Sequence, residues 1–117
     1  ELKRDYFKVG RINESFVVIN PQVGFIGVSV GSLELAKVNA PAGEFVKARI
    51  GIHNSKDKFI IVFDDDGDFK TRRIGNSMFR FNSIGAVRKL IECGFKGNKR
   101  YKVSSPEDNV IVVSKEA

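Results

Sequence analysis

Apolar residues in this chain come in short runs, most of them alternating with polar residues, and nearly every run is cut off by glycine, proline, asparagine or aspartate. Alternation with a period of two is what a sheet with one buried face requires, so the pattern specifies strands joined by tight turns. Residues 6–12 and 15–19 read as an opening hairpin around Asn13 and Glu14, ended by Pro21. Residues 24–30 read as the next strand, and Ser32 as the N-cap of a short helix over residues 33–38 that Pro41 must stop. Residues 45–52 alternate Val46, Ala48 and Ile50 with Lys47 and Arg49, and the unbroken apolar run 59–63 predicts the most buried strand. The aspartate turn 64–68 leads to strands over 69–74 and 78–81. Only one long segment has helical spacing: Ser83 as cap, Ile84, Val87, Leu90 and Ile91 as an apolar stripe, and Gly94 at the left-handed C-terminal position. Strands over 101–103 and 110–113 close the chain around a turn at 105–109.

At 117 residues the chain has the length of one domain, residues 1–117, and its 42% hydrophobic content suffices for a core. The fold class expected is α+β, β-rich: an N-terminal β-hairpin, then two similar strand-helix-strand-strand units in one compact domain. No window is long and apolar enough to span a bilayer, and the start offers no signal-peptide core, so no membrane partner is expected. A single cysteine, Cys93, cannot form an internal disulfide, which makes a reducing, cytoplasmic setting the expectation.

Laid over itself with an offset of 51, the sequence repeats the order of its parts. Val28 and Val30 match Phe79 and Phe81, Ser32 matches Ser83, and residues 59–62 match 110–113; around the longer second helix the offset becomes 55, pairing Val46-Lys47-Ala48 with Tyr101-Lys102-Val103. The units are residues 24–63 and 77–114. From Val28 to Val62 the first unit reads V-x-V-x-S-L-x-L-A, then E-F-V-K-A, then K-F-I-I-V. It resembles the AbrB-type swapped-hairpin DNA-binding domains of bacterial transition-state regulators and antitoxins. Those domains run strand, short capped helix, a strand opened by a tight turn, and a closing apolar strand; residues 42–46 stand where that turn belongs. The family's usual prolines and arginine-rich entry strand are missing at residues 28–32. The resemblance implies a pairing of two units, either as a pseudo-dimer within one monomeric chain or in a homodimer, and a role in transcription regulation.

The charge is uneven. The chain carries +6 overall, but residues 69–102 hold ten Lys and Arg against Glu92 alone, or +9, leaving the remainder net −3. Phosphate binding needs several cations along a common face, so that counterions are released together. The candidates are Lys70, Arg72 and Arg73 after the aspartate turn, Arg80 between two phenylalanines, and Lys99, Arg100 and Lys102 in a glycine-containing loop, with Lys47 and Arg49 as the first unit's counterpart. They point to a nucleic-acid-binding protein, with duplex DNA as partner. Solvated surface charge is the plain competing account, and a protein-interaction or accessory module of phage type, docking an acidic protein, is the competing function. Tyr6 could stack on bases, as could Phe7, Phe16 and Phe25, whereas Tyr101 is expected to pack inward like Val46.

Other chemistry finds little purchase. Asp64, Asp66 and Asp68 alternate like calcium ligands, but Gly67 comes one place early and no glutamate closes a twelve-residue loop, so no metal is expected. Gly24, Gly27 and Gly31 match neither the dinucleotide nor the phosphate-loop spacing, so no cofactor is expected either. His53, the one histidine, falls in a turn, and Cys93 ends a helix. No catalytic residues are assigned and an enzyme is not expected.

Overall fold

The alternation becomes eight antiparallel strands in the computed structural model, which describes residues 14–39, 45–74 and 78–115, side chains of residues 72–74 excepted. In chain order these are β1 (Phe16–Asn20), β2 (Phe25–Ser29), α1 (Val30–Leu35), β3 (Phe45–Ile52), β4 (Lys58–Phe63), β5 (Phe69–Ile74), β6 (Met78–Asn82), α2 (Ile84–Glu92), β7 (Tyr101–Ser104) and β8 (Val110–Ser114). The expected strand over residues 6–12, the turn at residues 42–44 and Gly75-Asn76 lie outside the described residues. The strands close into a barrel in the order β1-β2-β6-β5-β3-β4-β8-β7, with β7 returning to β1. Among the described residues strand predominates, with two short helices.

Eight strands enclose just enough room for side chains to fill. Every second residue points inward: Val17 and Ile19, Ile26 and Val28, Val46 and Ala48, Phe59, Ile61 and Phe63, Phe79 and Phe81, Tyr101, and Ile111 and Val113 form one core with Leu33, Val87, Leu90 and Phe95. Phe95 sits edge-on to both Phe59 and Tyr101, at 5.1 and 5.7 Å between ring centroids. Tyr101 packs inward as expected, and its hydroxyl oxygen accepts from the Lys96 N–H at 2.7 Å, so its polar end is satisfied without reaching water.

Two expectations need correction. The run 59–63 is buried on one face only: Phe59, Ile61 and Phe63 point into the barrel, while Ile60 remains 36% exposed and Val62 half-buried on the outside. A barrel has one interior, so an uninterrupted apolar run within it must leave alternate residues outside. The first helix starts at Val30, capped by Ser29, whose Oγ accepts from the Ser32 N–H at 3.2 Å; Ser32 lies inside the first turn with its own hydroxyl donated to the Phe16 carbonyl. For α2 the expected cap holds, Ser83 Oγ accepting from the Ala86 N–H, and Gly94 takes φ +100. Its stripe is buried only at Val87 and Leu90, with Ile84 and Ile91 exposed.

The pairings have a regularity of their own. Exchanging β1, β2, β3 and β4 with β5, β6, β7 and β8 maps each strand pairing onto a pairing that is also present. Val46 stands opposite Thr71 on β5, and Tyr101 opposite Val17 on β1. Because β2 and β6 are antiparallel neighbours, the helices that follow them leave from opposite ends of the barrel. Between β4 and β5 the aspartate linker crosses the outer side of β3: the Asp64 N–H donates to the Lys47 carbonyl, and a Cβ on Gly67 would stand 2.4 Å from the Ala48 backbone.

Candidate nucleic-acid interface

The nine cations do not form one surface. Lys47, Arg49, Lys70, Arg72 and Arg80 belong to the adjoining strands β3, β5 and β6, whereas Lys99, Arg100 and Lys102 belong to β7 and the loop before it. In the ring of eight, β7 is four strands from β5 in either direction, so the two groups occupy opposite sides of the barrel. Arg73 stands opposite Phe79 across the β5–β6 ladder.

On the first flank, Lys47 and Lys70 stand directly opposite across β3 and β5, both exposed. Like charges in that relation repel. Lys70 Nζ lies 4.8 Å from the ring centre of Phe45, and the Arg80 guanidinium lies 4.6 Å from that of Phe25, as the alternation with Phe79 and Phe81 requires of an outward arginine. The aspartate linker crosses this same flank, however. Arg49 Nε is 3.2 Å from Asp64 Oδ2, and an open cleft of about 440 Å³ is lined by Lys47 together with Asp64 and Asp65. Asp64 also accepts the Asp66 N–H at 2.8 Å, so its carboxylate serves the linker's own turn and the arginine beside it. With Asp64 paired to Arg49 and Asp65 beside Lys47, part of this flank's positive charge is offset.

The second flank has the opposite balance. Residues 93–104 contain no Asp or Glu. The loop is held against β1 and the turn after it: the Asn98 N–H donates to the Ile19 carbonyl at 2.7 Å, Asn98 Nδ2 reaches Gln22 Oε1 at 3.2 Å, and a Cβ on Gly97 would stand 2.6 Å from Pro21. Asn98 accepts the left-handed conformation, φ +60, that the tight bend demands. The cations it carries are laid on aromatic rings, Lys99 Nζ 4.9 Å from Tyr101 and the Arg100 guanidinium 4.3 Å from Phe16. Lys102 stands opposite Phe16 across the β7–β1 ladder. Glu14 is the acid of this flank, with Oε1 3.2 Å from Arg100 Nη1, and both partners are well exposed, a pairing that water and salt screen. Together Glu14, Ser15, Phe16, Arg100, Lys102 and Val103 border an open cleft of about 450 Å³.

Sequence reading grouped the cations by strand but missed Phe16 and Glu14 as the partners of Arg100, since only barrel closure brings β1 beside β7. Lys96, in the same loop, adds a further exposed charge.

His53 Nδ1 lies 2.7 Å from Ser55 Oγ, which donates to Asp57; all three are exposed in the β3–β4 turn. The serine bonds to both of the others. Its hydrogen bond, more than the neighbouring charges of Lys58 and His53, holds the Asp57 carboxyl below the usual carboxylate range. Cys93 is a half-buried C-cap whose carbonyl accepts from Lys115 Nζ. Among the described residues, no cluster of three or more His, Cys, Asp or Glu side chains is arranged to hold a metal ion, and no helix is long and apolar enough to cross a membrane.

Comparison with family models, curated proteins and solved structures finds no match.

Proposed function

We propose that the chain is a nucleic-acid-binding barrel of duplicated, AbrB-like architecture, and that it contacts duplex DNA through the β7 flank, in the service of transcription regulation. The self-mapping order of strand pairings supports the duplication, with β1 and β5 added to the units at 24–63 and 77–114. The observation that carries the binding reading is the loop 96–100: a backbone pinned to β1 and its turn, bearing Lys96, Lys99 and Arg100 beside Lys102 in a stretch free of acids. A fixed loop pays little ordering entropy on binding, and cations resting on rings are already partly immobilised. Arginine on such a loop can take a phosphate bidentately or read a guanine edge.

Fluorescence anisotropy against salt tests the reading. Contact with three or four phosphates predicts a slope of log affinity on log salt of about −3 for a duplex. The pair Arg100→Glu and Lys102→Glu should abolish binding, while Lys47→Glu with Lys70→Glu should change it much less. Binding to neither duplex nor single strand at micromolar protein would overturn the reading; preference for single strands would move it to base stacking.

A protein-interaction module is the second reading, favoured by one observation that DNA binding leaves unused: the outer faces of β4 and β8 carry the apolar side chains Ile60, Val62, Val110 and Val112. A protein partner retained on the chain after nuclease treatment would favour it.

A further inference from the structure

The outward row of β4 runs Lys58, Ile60, Val62, with Asp64 just beyond it, and that of β8 runs Val110, Val112, Ser114. Across the ladder Ile60 stands opposite Val112 and Val62 opposite Val110, with Lys58 opposite Ser114. Four β-branched side chains therefore form a stripe on the outside of the barrel, Ile60 36% exposed and the others half-buried. The polar borders of the stripe differ from end to end. Beyond Val62 and Val110 lie Asp64, Asp65, Glu107 and Asp108, with Arg49, opposite Val62, paired to Asp64 and leaving the other three acids uncompensated by it; beyond Ile60 and Val112 lie Lys56, Lys58 and Lys115, with Asp57 among them.

We infer that this stripe is the contact for a second copy of the chain, packed face to face about a two-fold axis lying across the strands. That operation sets β4 on β4 end for end, so the stripe covers itself while the lysine end of each copy meets the aspartate end of the other, in two identical contacts. The same charge pattern disfavours other occupants: an acidic peptide would be repelled at one end and a polyanion would leave the apolar rows wet. Pleated faces of β-branched residues pack in this way in sandwiches, at about 10 Å separation. A stable interface covers about 800 Å² per partner, and a contact centred on four side chains, three of them already half-buried, is expected to give a reversible dimer of micromolar strength. The inference stands whether or not the β7 flank binds DNA, because β7 borders this face only through β8.

Sedimentation velocity on the full chain, without nucleic acid and up to about 100 µM, where a micromolar contact is filled, reads the result directly. The mass should rise with concentration toward twice that of one chain. Ile60→Asp with Val112→Asp should hold it at one chain mass with an unchanged circular dichroism spectrum, since both side chains point away from the core. Lys58→Glu, which leaves the stripe intact, should weaken the dimer about tenfold. A wild-type chain that stays at one chain mass throughout overturns the inference, and so does a dimer indifferent to all three substitutions.

Discussion

At the end of β2 the Ser29 hydroxyl accepts from the N–H groups of Phe16 and Ser32 and donates to the carbonyl of Glu14, at 2.9, 3.2 and 2.7 Å. One buried oxygen thus caps α1 and ties the start of β1 to it. Ser29→Ala would leave those backbone groups without partners and should cost about 2 kcal/mol in denaturant unfolding; a variant as stable as wild type would contradict this role. From the sequence, Ser32 was the expected cap because it also precedes an apolar segment. Which serine ends the strand is decided by the Phe16 carbonyl that claims Ser32, a contact sixteen residues away. Asp57 gives a test in pH. Its carboxyl is held below the ordinary range, chiefly by the Ser55 hydroxyl, so its contribution to stability is present above the unfolded carboxylate range and is lost as pH falls through the lowered folded value. Ser55→Ala should bring the Asp57 titration, followed by NMR, up toward the unperturbed range; an unmoved titration would show that the neighbouring charges dominate.

Elements were legible where a single period sufficed. The strand over residues 45–52 is β3 with the expected Val46 and Ala48 inward and Lys47 and Arg49 outward, and α2 begins at its expected cap. Val46 and Tyr101, paired by the offset of 55, both point inward, but the offset of 51 fails at the first helix, where Ser29 and not Ser32 is the cap and Val30 is helical while Phe81 is in a strand. It fails again at β8, because Phe59, Ile61 and Phe63 point inward while the inward residues there are Ile111 and Val113, an even number of positions away. Alternation alone cannot reveal such a slip when the strands are apolar on both faces. Nor could it show that the aspartate turn crosses a strand. That crossing makes Gly67 irreplaceable: Gly67→Ala drives a Cβ into the Ala48 backbone and should cost about 1–3 kcal/mol. Gly51→Ala, with 3.8 Å to Ile60 as its nearest contact, should change stability by about 0.5 kcal/mol or less. Equal effects of the two in thermal unfolding would remove the crossing from the account.

For the whole molecule, alternation placed Lys47, Arg49 and Arg80 on outer faces but could not say which strands become neighbours. Ring closure decides that, and it parts Lys70 from Lys102 while bringing Phe16 under Arg100. The +9 stretch is continuous along the chain and divided in space. Acids outside it weigh differently on the two flanks: the linker aspartates approach Arg49 and Lys47 on one, and Glu14, more exposed than Asp64, pairs with Arg100 on the other. The account accordingly depends on one asymmetry, that of two basic flanks only the β7 side meets a nucleic acid. Amide chemical-shift mapping with a short duplex tests it most directly. The account predicts perturbations confined to residues 96–102 and the facing start of β1 at Phe16, lost at high salt, with residues 64–70 unmoved; shifts centred on β3 and β5, or none at saturating duplex, would contradict it.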